Sequence, residues 1–313
     1  MISPEFLLEL RAKIPDLFSQ FKRELPELQA LGIGRIFHST QNEFDYVLTF
    51  FVSPGGREKV PDIVVTILSG RSVNLSTASA VTGAMEFSMG NCKYERPAKG
   101  GTCIAPRSGG LGTLGGVITN KSGEKHVVSC GHVMGDFDSR TRGRGRYIVQ
   151  PESGDIFAIV TESVEWLLVG MKSDAAVAKV NNNNDVCHEI AGLGTPTGIG
   201  EPVIDMRVWK SGTTTGVTCG LIKSVGMTAE ITRKVLRRNG SYEELKYEFH
   251  DVFFIEKMSG RGDSGSLILD QESIVRGILF AQSEDKKLEQ FSIACTIPNT
   301  IDALCLQGWS WSP

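Results

Sequence analysis

Arg261-Gly262-Asp263-Ser264-Gly265-Ser266 is the stretch on which the reading of this chain turns. A serine hydroxyl is a poor nucleophile at neutral pH and needs a base to take its proton. Glycines flanking such a serine let the backbone turn tightly, so that amide N–H groups can point at a developing oxyanion. Gly262-Asp263-Ser264-Gly265 alone is a modest signal. Its weight depends on a base and an orienting acid elsewhere in the chain.

The base is His132, in Val127-Val128-Ser129-Cys130-Gly131-His132-Val133. An apolar strand that ends in small residues and then histidine delivers an imidazole at the strand's end. Histidine is the natural general base because its unperturbed pKa lies near neutrality. His126 starts the strand, and His188 and His250 sit in polar surroundings. The acid is Asp174, which heads the apolar run Ala175-Ala176-Val177-Ala178. A carboxylate drawn inward there must find a donor, and an imidazole N–H serves. Read alone, Asp174 is a strand cap. Read with the other two, the order His132, Asp174, Ser264 is that of the chymotrypsin-type triad. The rival α/β-hydrolase elbow needs Gly-x-Ser-x-Gly with a later histidine, whereas position 266 is serine and His250 is the last histidine.

Outward from these motifs, residues 3–30 read as helix: Phe6, Leu10, Ile14, Leu17, Phe18 and Phe21 recur at three- and four-residue steps. Ser3 is the expected N-cap and Pro4 the first helical residue, and Pro15 and Pro26 predict an interrupted helix. Strand-like runs follow at 34–38, 46–52 and 62–68, so residues 1–95 are expected to form a small α+β unit. From residue 96 to 313 short strands alternate with turns. Lys121–Glu124, Gly212–Gly216 and Asn239-Gly240 mark hairpins. The 35 glycines in 313 residues exceed the usual ~7% and suit such a turn-rich β architecture.

Composition is that of an ordinary globular chain, with 41% hydrophobic and 22% charged residues. A net charge of -3 points to neither nucleic acid nor membrane as partner. No basic leader or 18-residue apolar run is visible, and the seven scattered cysteines lack metal-ligand spacing. The expectation is a cytoplasmic protein with mostly reduced cysteines and neither metal nor cofactor. Arg261-Gly262-Asp263 is explained by the nucleophile turn, and the Arg140–Arg146 run reads as a solvated loop.

Six segments together resemble the trypsin/chymotrypsin-like serine peptidases over residues 96–313, nearest to an intracellular, bacterial-type branch. They are Gly112–Gly115, Gly131–Val133, Asp174–Val177, Lys210–Gly216, Gly262–Gly265 and Gly277–Ala281. The resemblance implies a mainly β, chymotrypsin-like double antiparallel β-barrel, here preceded by the α+β unit, with the triad in the cleft. It implies a serine endopeptidase acting on protein or peptide substrates, with Gly262 and Ser264 N–H groups as the oxyanion hole. It places Met258, six residues before the nucleophile, at the floor of the specificity pocket, with Phe280, Ala281 and Gln282 on the wall. Methionine there argues against an Arg/Lys preference. The bridging cysteines of secreted members are missing beside His132 and Ser264. Zymogen members pair a freshly cut N-terminus with the residue at Asp263. No Ile-Val-Gly-Gly start is present here, so Asp263 is expected to be satisfied internally. The alternative is a zymogen-like or silent protease-fold module that needs cleavage, or an activating protein partner acting through residues 1–95.

Overall fold

The computed structural model describes residues 4–38, 43–53, 55–82, 85–86, 94–107, 110–135, 144–150, 154–236, 242–283 and 290–312. The apolar stripe near the N-terminus makes helix α1 (Pro4–Glu24), which buries Leu10, Ile14, Leu17 and Phe18. The helix continues through Pro15, where an interruption was expected. An internal proline costs ~3 kcal/mol. Burying one large apolar side chain contributes roughly 1.5–3 kcal/mol, so four of them outweigh it. The expected cap Ser3 lies outside the described residues.

Under α1 lie β1 (Leu28–His38), β2 (Glu43–Val52), β3 (Ile63–Leu68) and β4 (Arg71–Val81), in the order β1-β2-β4-β3. β4, unforeseen in the sequence, runs parallel to β2. A two-residue strand, β5 (Met85–Glu86), follows.

The next segment opens with β6 (Ala98–Gly100) and continues through β7 (Cys103–Pro106), β8 (Gly112–Thr113), β9 (Gly116–Thr119) and β10 (Lys125–Ser129). After the short helix α2 (Gly131–Met134) come β11 (Tyr147–Val149), β12 (Ile156–Ser163) and β13 (Ala176–Val180). These form an antiparallel sheet of order β8-β7-β11-β12-β13-β10-β9. Its two ends, β8 and β9, are joined by Leu114-Gly115 alone, so the sheet curls back on itself. β14 (Val186–Ile190) pairs in parallel with β6.

The last part holds β15 (Gly198–Ile199), β16 (Arg207–Gly212), β17 (Gly216–Leu236), β18 (Tyr242–Glu256), β19 (Leu267–Asp270), β20 (Ile274–Ser283), β21 (Phe291–Thr296) and helix α3 (Ile297–Leu304). The order β16-β19-β20-β21-β18-β17, with β17 returning to β16, closes a six-stranded antiparallel barrel. The Asn239-Gly240 turn lies outside the described residues.

β17 is unusually long, and register shifts between Ile222 and Ala229 bend it. Its first residues pair with β16, while Ala229, Thr228 and Val225 pair with Ala30, Leu31 and Ile33 of β1. The N-terminal strands thus extend the barrel sheet across the expected boundary at residue 95. Three cores result. Leu10, Phe18, Leu31 and Phe50 fill the first, beneath α1. Val117, Val127, Phe157, Phe249 and Phe280 belong to the second, shared between the two β units, and Val208, Phe253 and Ile268 fill the barrel. Cys130 and Cys295 are buried and free, Cys187, Cys219 and Cys305 are free, and Cys103 is disulfide-bonded. No described helix is long and apolar enough to cross a membrane.

Candidate active site

His132 and Asp174 meet because β10 and β13 pair antiparallel, with Ser129 opposite Ala176. One residue lies just beyond the end of β10, on α2, and the other just before the start of β13. Asp174 is fully buried. Its Oδ1 accepts the His132 backbone N–H at 3.0 Å and the Trp166 indole N–H at 3.2 Å, and its Oδ2 bonds His132 Nδ1. With the carboxylate oxygen as acceptor, the hydrogen of this bond sits on Nδ1. Gly131 is required here: a Cβ at this position would lie 2.8 Å from Asp174 Oδ1.

Ser264 sits in the turn between β18 and β19, which is clipped to the other sheet through Thr113. The Thr113 N–H donates to Ser264 O at 2.8 Å, and its hydroxyl donates to Gly262 O at 2.8 Å. Gly262 (φ +106°) and Gly265 (φ +101°) both hold left-handed backbone, which glycine alone adopts without strain. A Cβ on Gly265 would come within 2.1 Å of Ser129 Oγ, at the end of the strand that carries His132. The Cys130 thiol crosses the same seam to Leu279 O at 3.1 Å. The Ser264 turn is therefore packed directly on the segment that leads to His132. Ser264 is 2% exposed, and its hydroxyl donates to Phe280 O at 3.4 Å.

Asp263 finds its partners within the chain. Its carboxylate accepts the N–H groups of Gly260 (2.9 Å), Thr214 (2.9 Å) and Thr215 (3.2 Å) and the Thr215 hydroxyl (2.6 Å). Lys210 Nζ lies 3.1 Å away, and both side chains are fully buried. Burial alone would raise the Asp263 carboxyl. The Lys210 ammonium and the four donors outweigh it and hold the group below the ordinary carboxylate range.

The residues expected to form a pocket are all buried. Met258 packs with Val208, Ile222 and Phe253 inside the barrel, and the Phe280 ring lies 4.6 Å from that of Phe249. Gln282 Oε1 accepts from Lys257 Nζ at 2.5 Å and from Ser259 Oγ at 3.2 Å, so the polar contacts of this wall come from the residues flanking Met258. The three histidines that compete with His132 for the role are bonded elsewhere: His126 to Glu124 O, His188 to Thr119 and His250 to Glu248. In the basic run, Arg144 pairs with Glu162 and Arg146 donates to Gly135 O; residues 140–143 lie outside the described residues.

Cys130 Sγ lies with the His132 and Asp174 ligand atoms inside a 4.8 Å cluster of the kind that can hold a metal. Burial and the nearby Asp174 charge push the Cys130 thiol well up, however, and its hydrogen is spent on Leu279 O. Trp166 was missed in the sequence, and Thr113 and Lys210 were seen only as parts of motifs. Nothing local to Lys210 or Trp166 signals its role, since the partners Asp263 and Asp174 are distant or unmarked in the sequence.

No protein-family model and no curated protein sequence matches the chain. Among solved structures it is similar to Nocardiopsis protease, at 20% identity and TM-score 0.48, over 66% of this chain and 96% of that one. It is also similar to Thermobifida fusca protease A (18%, 0.46, 65% and 94%) and Cellulomonas bogoriensis chymotrypsin (16%, 0.46, 66% and 94%). The chain's own topology, a curled antiparallel sheet and a closed six-stranded barrel with Ser264 at their seam, is a chymotrypsin-like peptidase fold.

Proposed function

We propose that the chain is a serine endopeptidase that cleaves a specific protein target through an acyl-enzyme. The observation that carries this reading is the bond between His132 and the fully buried Asp174, beside a strand end at Ser129 that packs against the turn bearing Ser264. Rotation of the serine side chain from Phe280 O toward Nε2 lets His132 take the hydroxyl proton as Oγ attacks the peptide carbonyl. The proton then passes to the leaving amine. Asp174 keeps the imidazole in its tautomer and stabilises the imidazolium. Gly262 and Ser264 N–H groups hold the oxyanion, and losing one such donor typically costs on the order of 10²–10³ in turnover. Met258, Phe280, Ala281 and Gln282 are proposed as an apolar, narrowed pocket. The Lys210–Asp263 pair supports activity without a freshly cut N-terminus.

The test is labelling with a fluorophosphonate serine-hydrolase probe. Wild type labels, and Ser264→Ala and His132→Ala do not. Equal labelling of wild type and Ser264→Ala would sink the assignment. A second reading, a protease fold silent until cleavage or a partner acts, is favoured by the burial of Ser264 and by its bond to Phe280 O. Labelling that rises only after cleavage or addition of a partner would select it.

A further inference from the structure

β20 offers one stretch of open backbone on the nucleophile's side. β19 pairs with it only as far as Leu267 opposite Ile278, and two further bonds, Leu279 N–H to Ser266 O and Gly265 N–H to Leu279 O, tie it to the Ser264 turn. Phe280 O then meets the Ser264 hydroxyl. Beyond that point, on the same side, β20 continues through Gln282 and Ser283 with β21 on its other flank. An extended peptide presented to Ser264 has this edge as its partner, through main-chain hydrogen bonds of the kind that add a strand to a sheet.

That edge is already taken. β5 pairs antiparallel with it, Glu86 opposite Gln282 and Met85 opposite Ser283. β5 belongs to the segment joining the N-terminal sheet to the rest of the chain. The segment is anchored on one side by the Thr82 N–H to Val52 O at 2.8 Å and on the other by the Glu95 N–H to Gln150 Oε1 at 2.9 Å. A strand tethered at both ends competes at an effective concentration of roughly millimolar order, against which a protein substrate in solution is weak.

We infer that β5 is an intramolecular inhibitor of the endopeptidase proposed above: it holds the peptide-binding edge of β20, and a substrate must displace it. This rests on the endopeptidase reading, and only the backbone pairing of Met85 and Glu86 is used.

The test is the protein carrying Met85→Pro and Glu86→Pro, beside wild type; proline has no N–H to give a ladder, so whichever of the two residues donates to β20 the donor is lost. Hydrogen exchange at Gln282 and Ser283 reports whether the edge has been freed. Hydrolysis of an unstructured protein, casein, reports whether access follows. The expected result is faster exchange and a fall of about tenfold in KM at unchanged kcat, the effect of losing one to two net hydrogen bonds. Fluorophosphonate labelling, which needs no strand pairing, should change little. Unchanged exchange overturns the pairing. Faster exchange with unchanged KM overturns its inhibitory role and leaves the endopeptidase standing. If neither protein labels or turns over while exchange rises, the endopeptidase reading falls and the inhibitory role with it. A thermal melt guards against misfolding, and Glu86→Pro alone is the milder variant should the double one lose its fold.

Discussion

Replacing Lys210 with methionine is the most informative single change, because it removes one charge from a fully buried pair and keeps nearly the same volume. At 3.1 Å and an effective dielectric constant of ~20, the Lys210–Asp263 attraction is about 5 kcal/mol. Desolvation of both groups offsets much of this in the intact pair. Lys210→Met loses the attraction but leaves the Asp263 carboxylate buried, and breaking such a pair costs roughly 3–5 kcal/mol. Gly260, Thr214 and Thr215 still donate to the carboxylate, so the lower end, about 3 kcal/mol, is expected. The loss falls first on the turn from Gly260 to Ser266, which Asp263 anchors. Urea unfolding should register it, and Ser264 labelling should drop by about two factors of ten. Lys210→Met with Asp263→Asn should lose less than the sum of the single changes, by at least about 1 kcal/mol. If Lys210→Met keeps wild-type stability and labels within a few-fold of wild type, the ammonium does not hold the turn and the account of Asp263 is wrong.

Three further outcomes follow from the same geometry. Trp166→Phe removes a donor from the Asp174 carboxylate; labelling should fall about tenfold or more with little change in melting temperature, and equal labelling would show the indole to be mere packing. Gly265→Ala places a Cβ 2.1 Å from Ser129 Oγ on left-handed backbone, so a loss above about 3 kcal/mol is expected in urea unfolding, and a smaller one would mean that the seam can yield. Because the Asp263 carboxyl is held below its ordinary value, its contribution is complete above the unfolded pKa of ~3.9 and is lost only as pH falls through the lower native value. The stability difference between wild type and Asp263→Asn should therefore be flat from neutral pH to about 5 and shrink below about 4; shrinkage already at pH 6 would contradict it.

The residues of the seam were largely legible in the sequence, because each announces itself locally. Ser264 lies between glycines that a tight turn needs, His132 follows an apolar strand, and Asp174 heads another. The β9–β10 hairpin and the strands around Gly212–Gly216 were readable from their turns. What was not legible is set by contacts distant in sequence. α1 runs through Pro15 because a sheet made mostly of later residues rewards the apolar face on both sides of it. The pairing of β1 with β17 has no local signature, since either strand alone reads as one half of its own hairpin. Lys210 and Trp166 take their roles from Asp263 and Asp174, which only the folded chain brings near.

The β1–β17 pairing also has a consequence for how the chain is made. β1 leaves the ribosome about 200 residues before its outer neighbour β17, a separation that slows folding because so long a loop must close first. Until β17 emerges, one flank of β1 is an unpaired apolar edge, open to pairing with other chains. Synthesis of this protein is thus a race between elongation and edge-to-edge association. Slowing translation after residue 81 should lower its soluble yield, whereas slowing it after residue 236 should not.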